Sequence, residues 1–264
     1  MITIATWNVN SVKSRIQHLL DYLRSDEAPD ILLLQEIKCI TEAFPSMEVE
    51  DCGYNIAVHG QKTYNGVAIL SKYPIEDVNT ELAGEPEDEQ ARFIEAVICA
   101  GQKAIRVANV YVPNGQSPDS EKFQYKMRFF DRLYEYAKKC LSYEEPFLIG
   151  GDYNVAPYPE LDVYAPKSLE GTICCHRQER EKFRKLTGLG MIDAFRLSNP
   201  HTQQYSWWDY RGGSWQQNKG MRIDHILLSP EAADMVTTSG VNQEIRGLEK
   251  PSDHAPVWVR ARVS

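Results

Sequence analysis

The sequence contains Ile31-Leu32-Leu33-Leu34-Gln35-Glu36, in which four aliphatic residues are followed by an amide and a carboxylate. Such a run is typical of a strand that is buried on both faces, so the Glu36 carboxylate should lie just beyond the strand end. Acids and amides end other apolar runs in the same way, in Thr6-Trp7-Asn8-Val9-Asn10, Gly150-Gly151-Asp152-Tyr153-Asn154, Arg222-Ile223-Asp224 and Ser252-Asp253-His254. We expect these groups to meet at one sheet edge, where carboxylates can bind a hard divalent cation and so gather phosphate.

The spacing of apolar residues predicts the fold class. β-Branched and aromatic residues predict strands over residues 2–7, 31–35, 66–71, 93–99, 105–110, 147–149, 223–228 and 257–262. Apolar stripes predict helices over residues 16–23 and 123–141, and a third helix is expected over residues 178–189. Helices between many short strands predict an α/β fold with two packed sheets covered by helices. We expect one domain over residues 1–264, with the acidic segment 79–90 as a hairpin loop.

Composition limits the class of protein. The 264 residues are 42% hydrophobic, which supports a substantial core, but no apolar stretch approaches the roughly 20 residues of a membrane span. A strand-like segment already begins at Ile2, so we expect no signal peptide, no membrane partner and a cytoplasmic location. The six cysteines lack C-x-x-C or zinc spacing and are interpreted as reduced thiols. A net charge of -8 argues against a general basic coat, so any polyanion should be bound locally.

The segment with Asp253 and His254 lies between Pro251 and Pro256, whose fixed φ angles restrict both side chains. We interpret Asp253 and Glu36 as metal ligands and His254 as a residue that faces phosphate. A turn-forming Asp beside a solvated His is the alternative, because Asp is common in turns. For Glu36 the alternative is a surface or helix-capping glutamate.

Asp152 and Asn154 are two residues apart, so in extended backbone they would project from one face. Asp152 could then orient or deprotonate a water while Asn154 donates to a phosphate oxygen, and an Asx turn is the alternative. Asp224 begins a strand that should be buried, so its carboxylate needs a partner, which we expect to be His254. Such a pair fixes the tautomer and favours imidazolium. His225 should face the other side of the strand and serve structure.

The run Tyr205-Ser206-Trp207-Trp208-Asp209-Tyr210, followed by Met221 and Ile223, is rich in large apolar groups. Aromatic residues usually lie in the core, so core packing alone is the first interpretation. The second is an apolar slot for a base or sugar beside the acidic rim.

Several motifs together carry a family resemblance. They are Trp7-Asn8-Val9-Asn10, Gln35-Glu36-Ile37-Lys38, Tyr64-Asn65-Gly66-Val67-Ala68, Tyr111-Val112-Pro113-Asn114-Gly115, Gly151-Asp152-Tyr153-Asn154, Trp208-Asp209-Tyr210-Arg211, Met221-Arg222-Ile223-Asp224 and Lys250-Pro251-Ser252-Asp253-His254-Ala255-Pro256-Val257. In this order they resemble bacterial exonuclease III and related abasic-site endonucleases of the endonuclease, exonuclease and phosphatase superfamily. The resemblance covers nearly the whole chain, although residues 155–176 do not align clearly with a family pattern and residues 212–220 have a composition of their own.

The resemblance implies a four-layer α/β sandwich with two mixed β-sheets flanked by helices. It also implies Mg²⁺-dependent hydrolysis of the DNA phosphodiester 5′ to abasic sites, with 3′-5′ exonuclease and 3′-phosphatase activity, and Mn²⁺ could substitute. The implied partner is double-stranded DNA with abasic sites or blocked 3′ ends, bound by a monomer.

The resemblance further assigns roles by motif. The implied metal ligands are Glu36, Asp253 and Asn10. Asn8 and Asp152 resemble residues that place the attacking water, and Asp224 resembles the partner of the histidine. The implied phosphate contacts are Tyr111, Asn114, Asn154 and His254. The implied sugar pocket contains Trp207, Met221 and Ile223, and the candidate DNA-backbone contacts are Lys13, Lys38, Arg92 and Arg211.

Two rival functions remain compatible with the motifs. A phosphoester hydrolase of the same superfamily acting on a lipid or small molecule would share the catalytic core. A catalytically inactive DNA-binding module would share the fold but not the chemistry. The competent residue types at every implied catalytic position argue against the second rival.

Overall fold

This computed structural model describes residues 1–101 and 103–262. The first of its two six-stranded sheets contains both the first and the last strand in sequence order. In spatial order its strands are β13 (Val236–Val241), β14 (Val257–Ala261), β1 (Ile2–Asn8), β2 (Ile31–Gln35), β4 (Val67–Ser71) and β3 (Asn55–His59). β1 runs parallel to β2, and the other neighbours are antiparallel. The sheet is therefore mixed, and β1 pairs directly with β14. Residues 263–264 of the predicted domain lie outside the described residues.

The second sheet is built from the middle of the sequence. Its spatial order is β5 (Ile75–Asn79), β6 (Phe93–Ala100), β7 (Lys103–Tyr111), β8 (Phe147–Asp152), β12 (Asp224–Leu228) and β9 (Ile192–Asp193). Only β7 and β8 are parallel within it. A short ribbon of β10 (Trp207–Trp208) and β11 (Gly220–Met221) lies apart from both sheets. Residues 80–90 lie between the antiparallel strands β5 and β6, so the hairpin loop predicted over residues 79–90 is confirmed, except that Asn79 is the last residue of β5.

Helices cover the outer faces of the sheets. α1 (Ile16–Arg24) and α2 (Ser46–Glu50) pack apolar side chains on the first sheet, and α3 (Glu121–Leu141) and α6 (Arg177–Gly188) pack on the second. All three predicted helices are present. Short helices lie in the connections: α4 (Pro159–Asp162), α5 (Pro166–Leu169), α7 (Ala194–Ser198) and α8 (Pro230–Ala233). The predicted α/β sandwich of two mixed sheets flanked by helices is confirmed.

Aliphatic side chains from the two sheets pack together, and a buried polar contact joins the sheets beneath the strand ends. Leu33 of β2 and Val107 of β7 belong to this shared core. Gln35 Nε2 donates to Asn109 Oδ1 at 2.7 Å, and Asn109 Nδ2 donates to the carbonyls of Leu34 and Ala68 at 2.8 Å each. Because a buried amide without a hydrogen-bond partner is costly, this contact fixes the two sheets relative to each other close to Glu36.

Two expectations from composition can be checked against the structure. Each of the six cysteines is a free thiol. Within residues 1–101 and 103–262, no helix combines the length and the apolar composition that a membrane crossing requires.

Candidate active site

The polar residues singled out in the sequence meet at one rim. Asn8 ends β1, and Glu36 follows the neighbouring strand β2. In the second sheet Asp152 is paired with Tyr111 on one side and with Asp224 on the other. Since the strand ends of both sheets open onto the same cavity, residues distant in sequence become neighbours in space.

Asn8 lies at the centre of the rim and is completely buried. Its Nδ2 donates to Glu36 Oε1 at 2.9 Å and to Asp152 Oδ2 at 3.0 Å. One amide group therefore orients a carboxylate from each sheet. The Tyr111 hydroxyl donates to the same Glu36 oxygen at 2.9 Å. Burial and the nearby Glu36 and Asp152 carboxylates raise the pKa of Tyr111 well above its usual range, which keeps it a donor.

His254 is held between two carboxylates. Its Nδ1 lies 2.9 Å from Asp224 Oδ2, and its Nε2 lies 3.8 Å from Asp152 Oδ2. Burial lowers the pKa of His254, but Asp224 and Asp152 outweigh burial and raise it to about 10. Burial raises the pKa of Asp152 to about 7, although His254 acts in the opposite direction. The predicted pairing of Asp224 with His254 is present, and the site combines an imidazolium with a carboxyl poised near neutrality.

Beside the His254 and Asp152 pair, oxygen atoms of Glu36 and Asn10 contact the ammonium group of Lys38. Lys38 Nζ lies 2.9 Å from Glu36 Oε2 and 2.5 Å from Asn10 Oδ1, and Asn10 Nδ2 donates to Asp253 Oδ1 at 3.0 Å. Burial raises the pKa of Glu36, but Lys38 and Asn8 lower it more, so the carboxylate is ionised. The lysine ammonium shows that the Glu36 and Asn10 oxygens can bind a cation, while Asp253 contacts Asn10 and not the ammonium.

The expected extended backbone at Asn154 is wrong. Asn154 has a left-handed φ of 49°, and its N–H donates to Asp152 Oδ1 at 2.8 Å, which is the Asx turn held open as the alternative. The turn still brings both side chains together, because Asn154 Nδ2 lies 3.3 Å from Asp152 Oδ2. Asn114 Nδ2 donates to Asn154 Oδ1 at 3.0 Å, so the two amides form one unit.

An apolar wall completes the cavity. Trp207, Met221, Ile223 and Ile173 form the apolar part of its lining, and its volume of about 530 Å³ falls within the roughly 300–1,000 Å³ of small-molecule sites. Trp207 Nε1 donates to Asp253 Oδ2 at 3.0 Å. The core-only interpretation is thus wrong for Trp207, whereas the neighbouring Trp208 is fully buried.

The sequence pattern described as "Endonuclease/Exonuclease/phosphatase family" matches residues 5–254. The chain belongs to the endonuclease/exonuclease/phosphatase family.

Relatives within this family cover nearly the whole chain. Exodeoxyribonuclease III of Haemophilus influenzae is 36% identical over 261 residues, which are 96% of this chain and 97% of the relative. The solved 3′-5′ exonuclease NExo of Neisseria meningitidis is 40% identical, with a TM-score of 0.94 over 99% of this chain and 100% of that chain. A solved AP endonuclease of Archaeoglobus fulgidus is 39% identical, with a TM-score of 0.94 and full coverage of both chains. The predicted resemblance is confirmed: this chain is a nuclease of the exonuclease III type, and such nucleases depend on metal ions.

The basic residues proposed as DNA contacts fall into different surroundings. Lys38 and Arg92 line a second cavity that shares Glu36, Tyr111 and Asn114 with the first and that also contains Lys122. Arg92 stacks 4.6 Å above the Tyr111 ring. Arg211 lines the first cavity, but its exposed side chain is paired with Asp209 at 2.8 Å. Lys13 lines neither cavity and lies beside Phe44 and Met47, so the structure does not bring it to the rim.

Sequence reasoning missed two serines that position the histidine pair. Ser206 Oγ donates to Asp224 Oδ2 at 2.6 Å and accepts from the Asp224 N–H at 3.1 Å. Ser252 Oγ donates to the Asn8 carbonyl at 2.7 Å and accepts from the His254 N–H at 3.2 Å. Ser252 belongs to a recognised motif, but Ser206 gave no signal, since its partner is 18 residues away.

Proposed function

We propose that this family member is an Mg²⁺-dependent DNA repair nuclease that hydrolyses the phosphodiester 5′ to abasic sites, with 3′-5′ exonuclease and 3′-phosphatase activity. The observation that carries the proposal is the Asp224, His254 and Asp152 series beside an apolar wall in one cavity. Relatives described as an exodeoxyribonuclease III and as an AP endonuclease support the substrate class. A further relative is described as a 3′ phosphatase from Neisseria bound to a product DNA hairpin, with 39% identity and a TM-score of 0.95.

Glu36 and Asp253 would hold the Mg²⁺, or Mn²⁺ in its place, with Asn10 as a third oxygen donor. When bound there, the ion supplies Lewis-acid stabilisation of negative charge on the phosphate. Lys38 would leave Glu36 and Asn10 and become free to contact the DNA backbone.

The remaining chemistry falls to the chain's own side chains. Asp152, oriented by Asn8, accepts a proton from the water that attacks phosphorus in line. His254, kept as imidazolium by Asp224, donates through Nε2 to a phosphate oxygen as charge develops. Tyr111 and the paired amides Asn114 and Asn154 donate to the other phosphate oxygens.

Selection of abasic sites follows from the apolar wall. A sugar without a base has already lost its pairing and stacking, so it costs little to rotate out of the duplex. Trp207, Met221 and Ile223 would then pack against the bare sugar, and in this proposal the same side chains exclude a sugar that still carries its base. We propose that the whole chain forms one catalytic domain that acts as a cytoplasmic monomer, which light scattering of the purified protein can check.

The proposal is tested with three substrates: a duplex with one abasic analogue, an intact duplex and a duplex with a 3′ phosphate. Each is incubated with Mg²⁺ and with EDTA, and Asp152→Asn serves as the catalytic control. We expect cleavage 5′ to the abasic analogue and phosphate release only with Mg²⁺, and more than about a thousandfold less in Asp152→Asn. Hydrolysis of a phosphoinositide or sphingomyelin without attack on the abasic duplex would instead identify the lipid-hydrolase rival. DNA binding with no Mg²⁺-stimulated cleavage would identify the inactive binding module.

A further inference from the structure

Lys126 on α3 is completely buried, although a charged ammonium is costly to bury unless its protons are hydrogen-bonded. Its Nζ donates to the carbonyl of Asn154 at 2.7 Å, to the carbonyl of Asn114 at 3.1 Å and to Glu179 Oε1. An ammonium group has three protons, so each has its own acceptor. Lys126 is thus fully committed to one geometry.

The three acceptors come from three segments that surround the candidate active site. Asn114 follows β7, Asn154 follows β8, and Glu179 lies in the first turn of α6. Glu179 also accepts the backbone N–H groups of Cys174 at 3.2 Å and His176 at 2.9 Å. Through this carboxylate, Lys126 is linked to the segment that contains Ile173 and Cys174 of the cavity wall.

The packing around the lysine stem is equally close. Gly115 has a φ of +93°, and a Cβ placed there would lie 3.2 Å from both Lys126 Cδ and Ile173 Cδ1. Glycine is favoured at this point because a side chain would be strained at this positive φ and would also press on the lysine side chain. The position of the loop after β7 is therefore set by the same residue that binds its carbonyl.

We propose that Lys126 is a positioning residue for hydrolysis, which directs the Asn114 and Asn154 amides at the phosphate by fixing their own carbonyls. Asn154 Nδ2 donates to the Val112 carbonyl at 2.9 Å and to Asp152 Oδ2 at 3.3 Å, so its amide is held in one orientation at the rim, and a phosphate oxygen would replace one of these two acceptors. The inference rests on the proposed function, in which these two amides donate to phosphate oxygens. A purely structural ion pair would hold α3 and α6 together without influence on the chemical step.

The test replaces the ion pair by neutral groups of similar size, Lys126→Met with Glu179→Gln, so that no unpaired charge is buried. We expect a folded protein whose kcat on the abasic duplex falls about tenfold or more, with a smaller change in KM, because small displacements of reacting groups are costly. The matched control is Arg132→Met with Asp88→Asn, which removes a 2.6 Å ion pair between Arg132 on the same helix and Asp88 in the loop between β5 and β6, with side chains 9% and 8% exposed. The control should keep the parent kcat.

The same change is then made in an Asn114→Ala/Asn154→Ala background. If Lys126 acts through the amides, its replacement has no further effect on kcat there, whereas a purely structural effect would multiply in both backgrounds and overturn the proposal. Parent-like kcat in the Asn114→Ala/Asn154→Ala protein would refute the proposed roles of the amides. Activity loss in that protein with parent-like kcat in the Lys126 variant would refute only the present inference.

A second variant covers the case in which the double replacement does not fold. Lys126→Arg keeps a positive charge beside Glu179 but presents a planar fork instead of three tetrahedral donors. We expect the same fall in kcat with a cooperative thermal unfolding transition. Parent-like kcat in Lys126→Arg would overturn the proposal, because the exact placement of the donors would then be irrelevant.

Discussion

The buried histidines His254 and His225 lie on opposite sides of β12 and differ in their surroundings, although they are the same residue type. Asp224 and His225 are consecutive in a strand, so their side chains point to opposite faces. Asp224 binds His254, whose Nε2 faces the cavity. His225 has both ring nitrogens engaged, Nδ1 at 2.9 Å from Arg222 and Nε2 at 2.8 Å from the Val155 carbonyl. One imidazole is available to a substrate and the other is not.

The charges around each ring explain the rest of the difference. Burial lowers the pKa of both imidazoles. Asp224 and Asp152 reverse this effect for His254, and its pKa rises to about 10. The Arg222 guanidinium lowers the pKa of His225 further, so that the pKa of His225 falls to about 4. Burial therefore does not decide whether a histidine is a catalyst or part of the core; the sign of the neighbouring charge and a free ring nitrogen do.

The largest effect should come from removing the cavity-facing ring. His254→Asn keeps a polar group near Asp224 but removes the cationic donor, so kcat on the abasic duplex should fall about a thousandfold. Steady-state cleavage at saturating DNA measures this, with circular dichroism as the check on folding. A kcat within tenfold of the parent would mean that His254 is no more catalytic than His225.

A smaller effect is expected when the ring stays but loses its charged partner. Asp224→Asn keeps the shape that Ser206 recognises but removes the carboxylate that favours imidazolium, so kcat should fall about a hundredfold. The same cleavage assay measures it, with KM determined in parallel. If Asp224→Asn and the parent have equal kcat, the carboxylate contributes only to folding.

The smallest effect on catalysis, and a distinct effect on stability, is expected at His225. In the unfolded chain His225 titrates near 6.5, but in the folded protein its pKa is about 4. Between these values the unfolded state binds a proton that the folded state does not, so stability falls as the pH drops from 7 to 4. Titration of His225 should lower the free energy of unfolding by about 3 kcal/mol, and this decrease should be nearly complete at pH 4. Urea unfolding followed by tryptophan fluorescence at pH 7, 5.5 and 4 measures it.

His225→Gln is the control for the acid sensitivity. It cannot titrate, so its free energy of unfolding should depend less steeply on pH, while its kcat at pH 7 stays that of the parent. Identical pH dependence in the two proteins would show that other groups cause the acid sensitivity. A large loss of kcat in His225→Gln would contradict the contrast between the two rings.

The inner strands of the two sheets were predictable from the sequence, and the outer strands were not. Every strand predicted from an apolar run is present, and each has a neighbour on both sides, as β2 does. Within the two six-stranded sheets the missed strands are β13, β3, β5 and β9, which are the four outer strands, and the two short strands of the ribbon, β10 and β11, were missed as well. An outer strand pairs on one side only, so it need not carry a buried apolar run. β5, for example, is exposed at four of its five positions.

The candidate site was predictable where its residues end strands. Glu36 follows β2, Asp152 ends β8 and Asp224 begins the antiparallel neighbour β12, so their positions in the strands place them at one rim. The turn at Asn154 and the contacts of Ser206 and Lys126 were not predictable, since they depend on how loops return over the rim. Lys126 contacts Glu179 at a separation of 53 residues, and no periodic sequence pattern predicts a contact over that separation.

The pairing of β1 with β14 has a consequence for synthesis in the cell. Asn8 and Glu36 leave the ribosome early, but Asp253 and His254 take their places only when residues 257–261 have added to the edge of β1. A chain that has not yet added β14 should therefore be inactive, because Asp253 and His254 are not held beside Asn8 and Glu36. Contacts so distant in sequence also slow folding, so activity should appear some time after β14 has been synthesised.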